Sequence, residues 1–264
     1  MKVFLAFARQ SFQTTLIYRF DFWLRVSTIL LLMYSIRWVW IALYAQRPGA
    51  FGVSLEQMVT YGVLSMAVEN LFYSFGVHYY ISRQVRTGAI DGDLLKPLDF
   101  HFHMLARSVG EMLFRLFIMI LPAILCGYMF FGLQPPVTSL AGFLFAIALL
   151  IGYFISFHLG FLLGALSLVT LEIHSIDWAF NALTRFFSGQ LVPLWLFPGA
   201  LGTLAALLPF GSLLATPLSI YTGVLQGEAI LTAIGLQLFW LAALTLSSRW
   251  LWGKVQKRIV SQGG

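Results

Sequence analysis

The chain has 264 residues, is 59% hydrophobic, only 10% charged, and carries a net charge of +6. Soluble domains average roughly 45–50% apolar and about 25% charged residues, so a soluble enzyme or a nucleic-acid-binding domain is excluded. The composition predicts an all-α integral membrane protein of about six transmembrane helices, each of about 20 residues, in a single domain over 1–264. No soluble nucleotide-binding or periplasmic domain fits in what remains. The net positive charge is expected from basic residues gathered on the cytoplasmic side. Cys126 stands alone, which rules out an intrachain disulfide.

Residues 2–24 are amphipathic. Val3, Phe4, Phe7, Phe12, Leu16 and Phe20 recur at roughly helical spacing, with Lys2, Arg9, Gln13, Arg19 and Asp21 between them. Such a segment lies at the membrane interface, or it begins a long first helix; the interfacial reading is preferred. Its first eight residues resemble a signal peptide, but Arg9 ends the apolar run and no small-residue cleavage site follows. It is read as retained.

Spans follow at about Val26–Tyr44 and Gln57–Tyr80. A polar stretch, Arg83–Arg107, comes next, then spans at about Met112–Phe131 and Leu140–Leu163. A fifth span starts near Trp178. From Ser188 to Gly227 the chain stays apolar but is interrupted by Pro193, Pro198, Pro209 and Pro217 and by glycines. Proline breaks an interior helix, so short re-entrant helices are expected here, on the outer face before the last span at about Ala229–Leu251. Irregular backbone at membrane depth survives only where protein or a wet cavity covers it. The region is read as an outer lid, one that also lines an apolar exit path being the variant of that reading. Lysine and arginine concentrate before the first span, in 83–107 and after the last span. Both termini are therefore expected in the cytoplasm.

Arg37 and Glu69 sit in adjacent antiparallel spans. An isolated charge in a bilayer is expensive, so they are expected to pair, as a structural bolt or on the substrate path. Ala148, Gly152, Ser156, Gly160 and Gly164 recur every four residues, the pattern of a flat ridge for close helix approach. His101 and His103 next to Asp99 are too few for a metal site, and none is expected. Neither a phosphate-binding loop nor a dinucleotide fingerprint is present. No catalytic constellation stands out.

The pieces RTGAIDGDLLKPLD at 86–99 and FFSGQLVPLWLFP at 186–198, followed by LPF at 208–210, resemble ABC-2 type (type-two) ABC transporter permeases. Within that class they are similar to the small bacterial export permeases that work with a separate ATPase subunit. The resemblance covers essentially the whole chain. It implies that 2–24 is a connecting helix and that 83–107 holds a cytoplasmic coupling helix. Ile90, Asp91, Gly92, Asp93, Leu94, Leu95, Lys96 and Pro97 would then meet the ATPase, and 195–227 would be the re-entrant region. It further implies a transporter subunit with no catalysis and no cofactor of its own. ATP and Mg would be held by two copies of a partner ABC ATPase. A second permease, identical or related, would complete a dimer in the bacterial cytoplasmic (inner) membrane. The cargo expected of an apolar interior is lipid-like, a peptide or an amphipathic drug-like molecule, moved outward. A secondary transporter and a non-transport membrane scaffold are the competing functions; the first calls for intramembrane acids, of which only Glu69 is clearly available.

Overall fold

A computed structural model of the protein describes residues 19–47, 49, 51–72, 75–95, 99–170 and 174–262. The described residues are helical, with no strand among them. In chain order the helices are α1 (Arg19–Gln46), α2 (Leu55–Phe72), α3 (Phe75–Arg86), α4 (Ile90–Leu94) and α5 (Phe100–Arg115). A π-helical turn (Leu116–Ile120) joins α5 to α6 (Leu121–Phe130). Then come α7 (Ser139–Thr170), α8 (His174–Phe187), a 3-10 turn (Leu194–Leu196), α9 (Gly199–Leu207), α10 (Ala215–Tyr221) and α11 (Glu228–Gln262).

Among the described residues, four stretches are long and apolar enough to cross a membrane: Trp23–Gln46, Phe100–Phe130, Ser139–Leu166 and Glu228–Gln256. Large apolar side chains on their outer faces, such as Leu31, Trp38, Phe143, Phe239 and Trp250, are exposed. In a protein whose solvent is hydrocarbon this costs nothing, because lipid tails are as apolar as the side chains.

The remaining two expected crossings differ from the sequence reading. The one at 57–80 is divided into α2 and α3. Helix α2 is the centre of the bundle, with every residue from Met58 to Glu69 buried. Burial within protein is why it tolerates Thr60, Ser65 and Glu69 where a lipid-facing helix would not. The fifth, α8, has 14 residues, about 21 Å of helix. That is short of the roughly 30 Å hydrocarbon core.

Boundaries move outward for the other spans. The Arg83–Arg107 stretch, expected as a coupling loop around one helix, is mostly helix, since α3 runs to Arg86 and the third crossing begins at Phe100 rather than Met112. Asp99 explains that start: its carboxylate accepts the Phe102 amide hydrogen at 2.8 Å, satisfying one of the orphan donors of a helix N-terminus. The π turn has its own cause in Pro122. A proline ring clashes with the carbonyl four residues back and brings no amide hydrogen, and one wider turn accommodates both. The preferred interfacial helix at 2–24 lies outside the described residues up to position 18; Arg19–Leu24 belong to α1.

The four prolines stand at helix starts and ends. Pro193 precedes the 3-10 turn, Pro198 precedes α9, Pro209 follows it, and Pro217 sits in the first turn of α10, where no helical amide partner is lost. With nine and seven residues, α9 and α10 are too short to cross. Two clusters organise the rest. The main core surrounds α2, and a second gathers Val77, Ile81, Ile90, Phe100, Met104, Phe157, Phe161 and Trp252 beneath α4.

Candidate coupling site and interior polar seam

Helix α4 is seated at one end of the bundle by its inward-facing residues. Ile90 is buried in the aromatic cluster, where the rings of Phe100 and Trp252 stack at 4.3 Å. Asp93 is also buried; its Oδ2 accepts from the Tyr80 hydroxyl at 2.7 Å and from Gln84 Nε2 at 2.9 Å. Gly92 and Leu95 face outward, and Leu95 is 85% exposed. The eight residues expected to contact an ATPase therefore divide. Ile90 and Asp93 hold the helix to its own chain, while Gly92, and Leu95 just past its end, are exposed. The side chains of Asp91 and Leu94, and all of Lys96 and Pro97, lie outside the described residues.

The expected Arg37–Glu69 pair does not form. The Cβ position of Gly62 lies 3.0 Å from Ile36 and from Trp40, which puts Arg37 about level with Gly62. Glu69 is seven residues further along α2, about 10 Å at helical rise. Each charge takes a nearer partner. Arg37 Nη1 donates to the Phe130 carbonyl at 2.8 Å, one of the last carbonyls of α6, which has no helical partner and carries the negative end of the helix dipole. Glu69 Oε1 pairs with Arg185 Nη2 of α8 at 3.3 Å. Replacing Arg37 with methionine, which keeps most of the packing, should cost about 1 kcal/mol by uncapping α6; the apparent melting temperature of the purified chain reads it.

Glu69 belongs to a seam that the sequence reading missed. Gln57, Tyr61, Ser65 and Glu69 recur every four residues along α2, and each reaches the segment 185–222. Gln57 Nε2 donates to Thr222 O at 3.0 Å, Tyr61 OH to Gly189 O at 2.9 Å and Ser65 Oγ to Gln190 O at 3.1 Å. A polar residue at every fourth position of a helical stretch was the available signal. The partners are carbonyls freed by broken backbone, which no sequence pattern locates.

The small-residue ridge of α7 closes the opposite side. A side chain at Gly152 would meet Ser212 O at 3.0 Å and Leu213 O at 3.1 Å; at Gly164 it would meet the Cα of His78 at 2.9 Å. Ser156 Oγ donates to Phe72 O at 2.9 Å, Ala148 is fully buried and Gly160 is buried. The neighbours of the ridge are thus α2, α3 and the broken segment of the same chain. From α11, Gln237 Nε2 donates to Ala148 O at 3.0 Å and Ser212 O at 2.7 Å, and Trp240 Nε1 to Leu207 O at 2.9 Å. The four-proline region is therefore bolted on three sides. An apolar cavity of about 720 Å³ lies between α9, α10 and the start of α11, with Trp195, Phe197, Leu207, Leu225 and Leu236 in its wall and no charged residue.

Two histidines also find partners. His101 and His158 stack with centroids 5.2 Å apart. Ser248 lies 3.0 Å from His158 Nδ1 and 3.3 Å from His101 Nε2, and Thr245 lies 2.9 Å from His158 Nε2. This buried polar cluster joins α5, α7 and α11. Among the described residues no group of three or more His, Cys, Asp or Glu side chains is placed to hold a metal.

The chain is thus a helical bundle with membrane-length spans, a short helix mounted at one end and a broken segment bolted between its neighbours. The family described as ABC-2 family transporter protein matches residues 29–263, and the chain belongs to that family. As a member it is a membrane permease of an ABC transporter and is not itself catalytic. The comparison with curated proteins found no match.

Proposed function

We propose that the chain is the permease subunit of an ATP-driven exporter that moves a lipid-like, peptide or amphipathic drug-like substrate outward across the bacterial cytoplasmic membrane. Two copies of a separate ABC ATPase hydrolyse Mg-bound ATP and push on α4. A second permease, identical or related, completes the assembly, and both termini face the cytoplasm. The observation that carries this reading is α4 itself. Ile90 and Asp93 clamp it to the bundle from below, and Gly92 and Leu95 are presented above it. A surface of that kind receives a rigid-body motion and passes it to α3 and α5. Membership of the family supports the ATPase partner. The uncharged cavity beside α9 and α10 suits an apolar or amphipathic cargo better than an ion.

The test is Leu95→Asp in the full chain, co-expressed with the ABC ATPase and reconstituted in nanodiscs. The loss of an exposed apolar anchor should reduce permease-stimulated ATP hydrolysis at least about tenfold. The melting temperature of the permease should stay unchanged, because Leu95 is 85% exposed. An undiminished stimulation by Leu95→Asp would overturn the assignment of α4. A wild-type chain that neither binds nor stimulates the ATPase would overturn the proposed coupling to that ATPase.

A further inference from the structure

Between α4 and the Glu69–Arg185 pair runs a file of charged side chains on one face of α5. The guanidinium of Arg107 lies over the Tyr80 ring, 4.2 Å from its centroid, and the same Tyr80 donates to Asp93 of α4. One turn on, Arg107 Nε meets Glu111 Oε1 at 3.2 Å. Another turn on, Arg115 Nη2 lies 3.8 Å from Glu111 Oε2. Arg115 Nη1 then donates to Asn70 O at 3.1 Å, in the last turn of α2. The neighbouring residue is Glu69, which holds Arg185.

Ion pairs four residues apart on an exposed helix face contribute only a few tenths of a kcal/mol. These differ in two ways. The shared acid Glu111 is 17% exposed, with Arg115 at 23% and Arg107 at 37%, and each arginine has a second contact on a different helix. Arg107 grips α3 through Tyr80, and Arg115 grips the C-terminal end of α2, where unpaired carbonyls and the helix dipole favour a cation. Glu111 is the acid common to both. Without it two guanidiniums one turn to either side would face the same site with no carboxylate between them.

We infer that Glu111, with Arg107 and Arg115, is a positioning residue that couples the seat of α4 to the Glu69–Arg185 pair. The inference rests on α4 being the element that receives force. It adds the route by which that force reaches the centre of the bundle. A displacement of α4 shifts Tyr80, the arginine on its ring, the shared carboxylate and then the end of α2.

The experiment is a mutant cycle on the purified full chain in nanodiscs, with no ATPase present. Tyr80→Phe cuts the link to Asp93 and keeps the ring; Arg185→Gln cuts the far end. The two sites share no direct contact, so independent effects on the apparent melting temperature would add. The double variant should instead depart from the sum by roughly 2 °C or more. In a Glu111→Gln background the departure should vanish. Additive effects in the native background overturn the inference, as does a departure that persists undiminished without the Glu111 carboxylate. A purely structural role for Glu111 would shift all four melting temperatures alike and leave the departure in place. If Glu111→Gln does not fold, Arg107→Lys, which loses the guanidinium fork, serves as the background. Because no ATPase enters the cycle, its result is separable from the test of Leu95.

Discussion

Replacing Gly164 with valine should leave almost no folded protein. The first carbon of any side chain there lies 2.9 Å from the Cα of His78 and 3.1 Å from Ile81 Cβ. Neither is the free end of a flexible side chain, so α7 and α3 must separate. Overpacking a core by a few carbons costs about 1–3 kcal/mol and sometimes more; against backbone, with two further methyl carbons, about 3 kcal/mol or more is expected. Gly235→Val on the exposed part of α11 is the control, since nothing lies within 4 Å of its Cβ position. Fluorescence-detected size-exclusion of the two variants in detergent reads the difference. A monodisperse Gly164→Val peak of native height would show that the α7–α3 contact is not as close as described. Gly152→Val should behave in the same way, because its obstacles are the backbone carbonyls of Ser212 and Leu213.

The second large effect is an asymmetry at the interior ion pair. Arg185→Gln should cost more than Glu69→Gln. The side chain of Glu69 is 12% exposed and that of Arg185 is 48% exposed. Removing the acid leaves a guanidinium that water or headgroups can reach. Removing the base leaves a carboxylate enclosed by α2, α8 and the broken segment. Breaking a fully buried pair costs about 3–5 kcal/mol. With one partner half-exposed, about 2–3 kcal/mol is expected for Arg185→Gln and less than about 1 kcal/mol for Glu69→Gln. Thermal unfolding of the two variants in one nanodisc preparation decides it, and equal shifts would remove the asymmetry. The double variant should recover part of the loss, because it removes the stranded charge. A pairing of Glu69 with Arg37 predicts instead that Arg185→Gln is silent.

Much of the architecture was legible before any coordinates. Apolar runs located the spans at 26–44, 112–131, 140–163 and 229–251 to within a turn or a few, because the bilayer imposes length and hydrophobicity on each helix by itself. The four prolines marked the broken segment for an equally local reason. In the polar stretch 83–107 the short helix at 90–94 was legible from the resemblance, but the end of α3 at Arg86 and the start of α5 at Phe100 were not. Such boundaries depend on single caps such as Asp99, and charge masks the periodicity. The ridge of α7 could be read as a packing surface; which helix covered it could not.

The partners of the charged residues were decided elsewhere. Arg37 and Glu69 looked like a pair because the sequence lists them on neighbouring spans, yet it carries no record of depth. Tertiary packing sets Arg37 level with the end of α6 and Glu69 level with α8. Asp93 looked like a surface contact and is a buried anchor, because α4 lies down on Tyr80 and Gln84. What the amino-acid sequence settles by itself is the solvent: a chain this apolar must fold in lipid and satisfy its backbone in helices. What only the tertiary structure decides is which freed carbonyl or lone charge meets which side chain. In lipid those groups have no water to fall back on, so each takes the nearest partner that packing brings, and proximity in space is what one chain read in order does not contain.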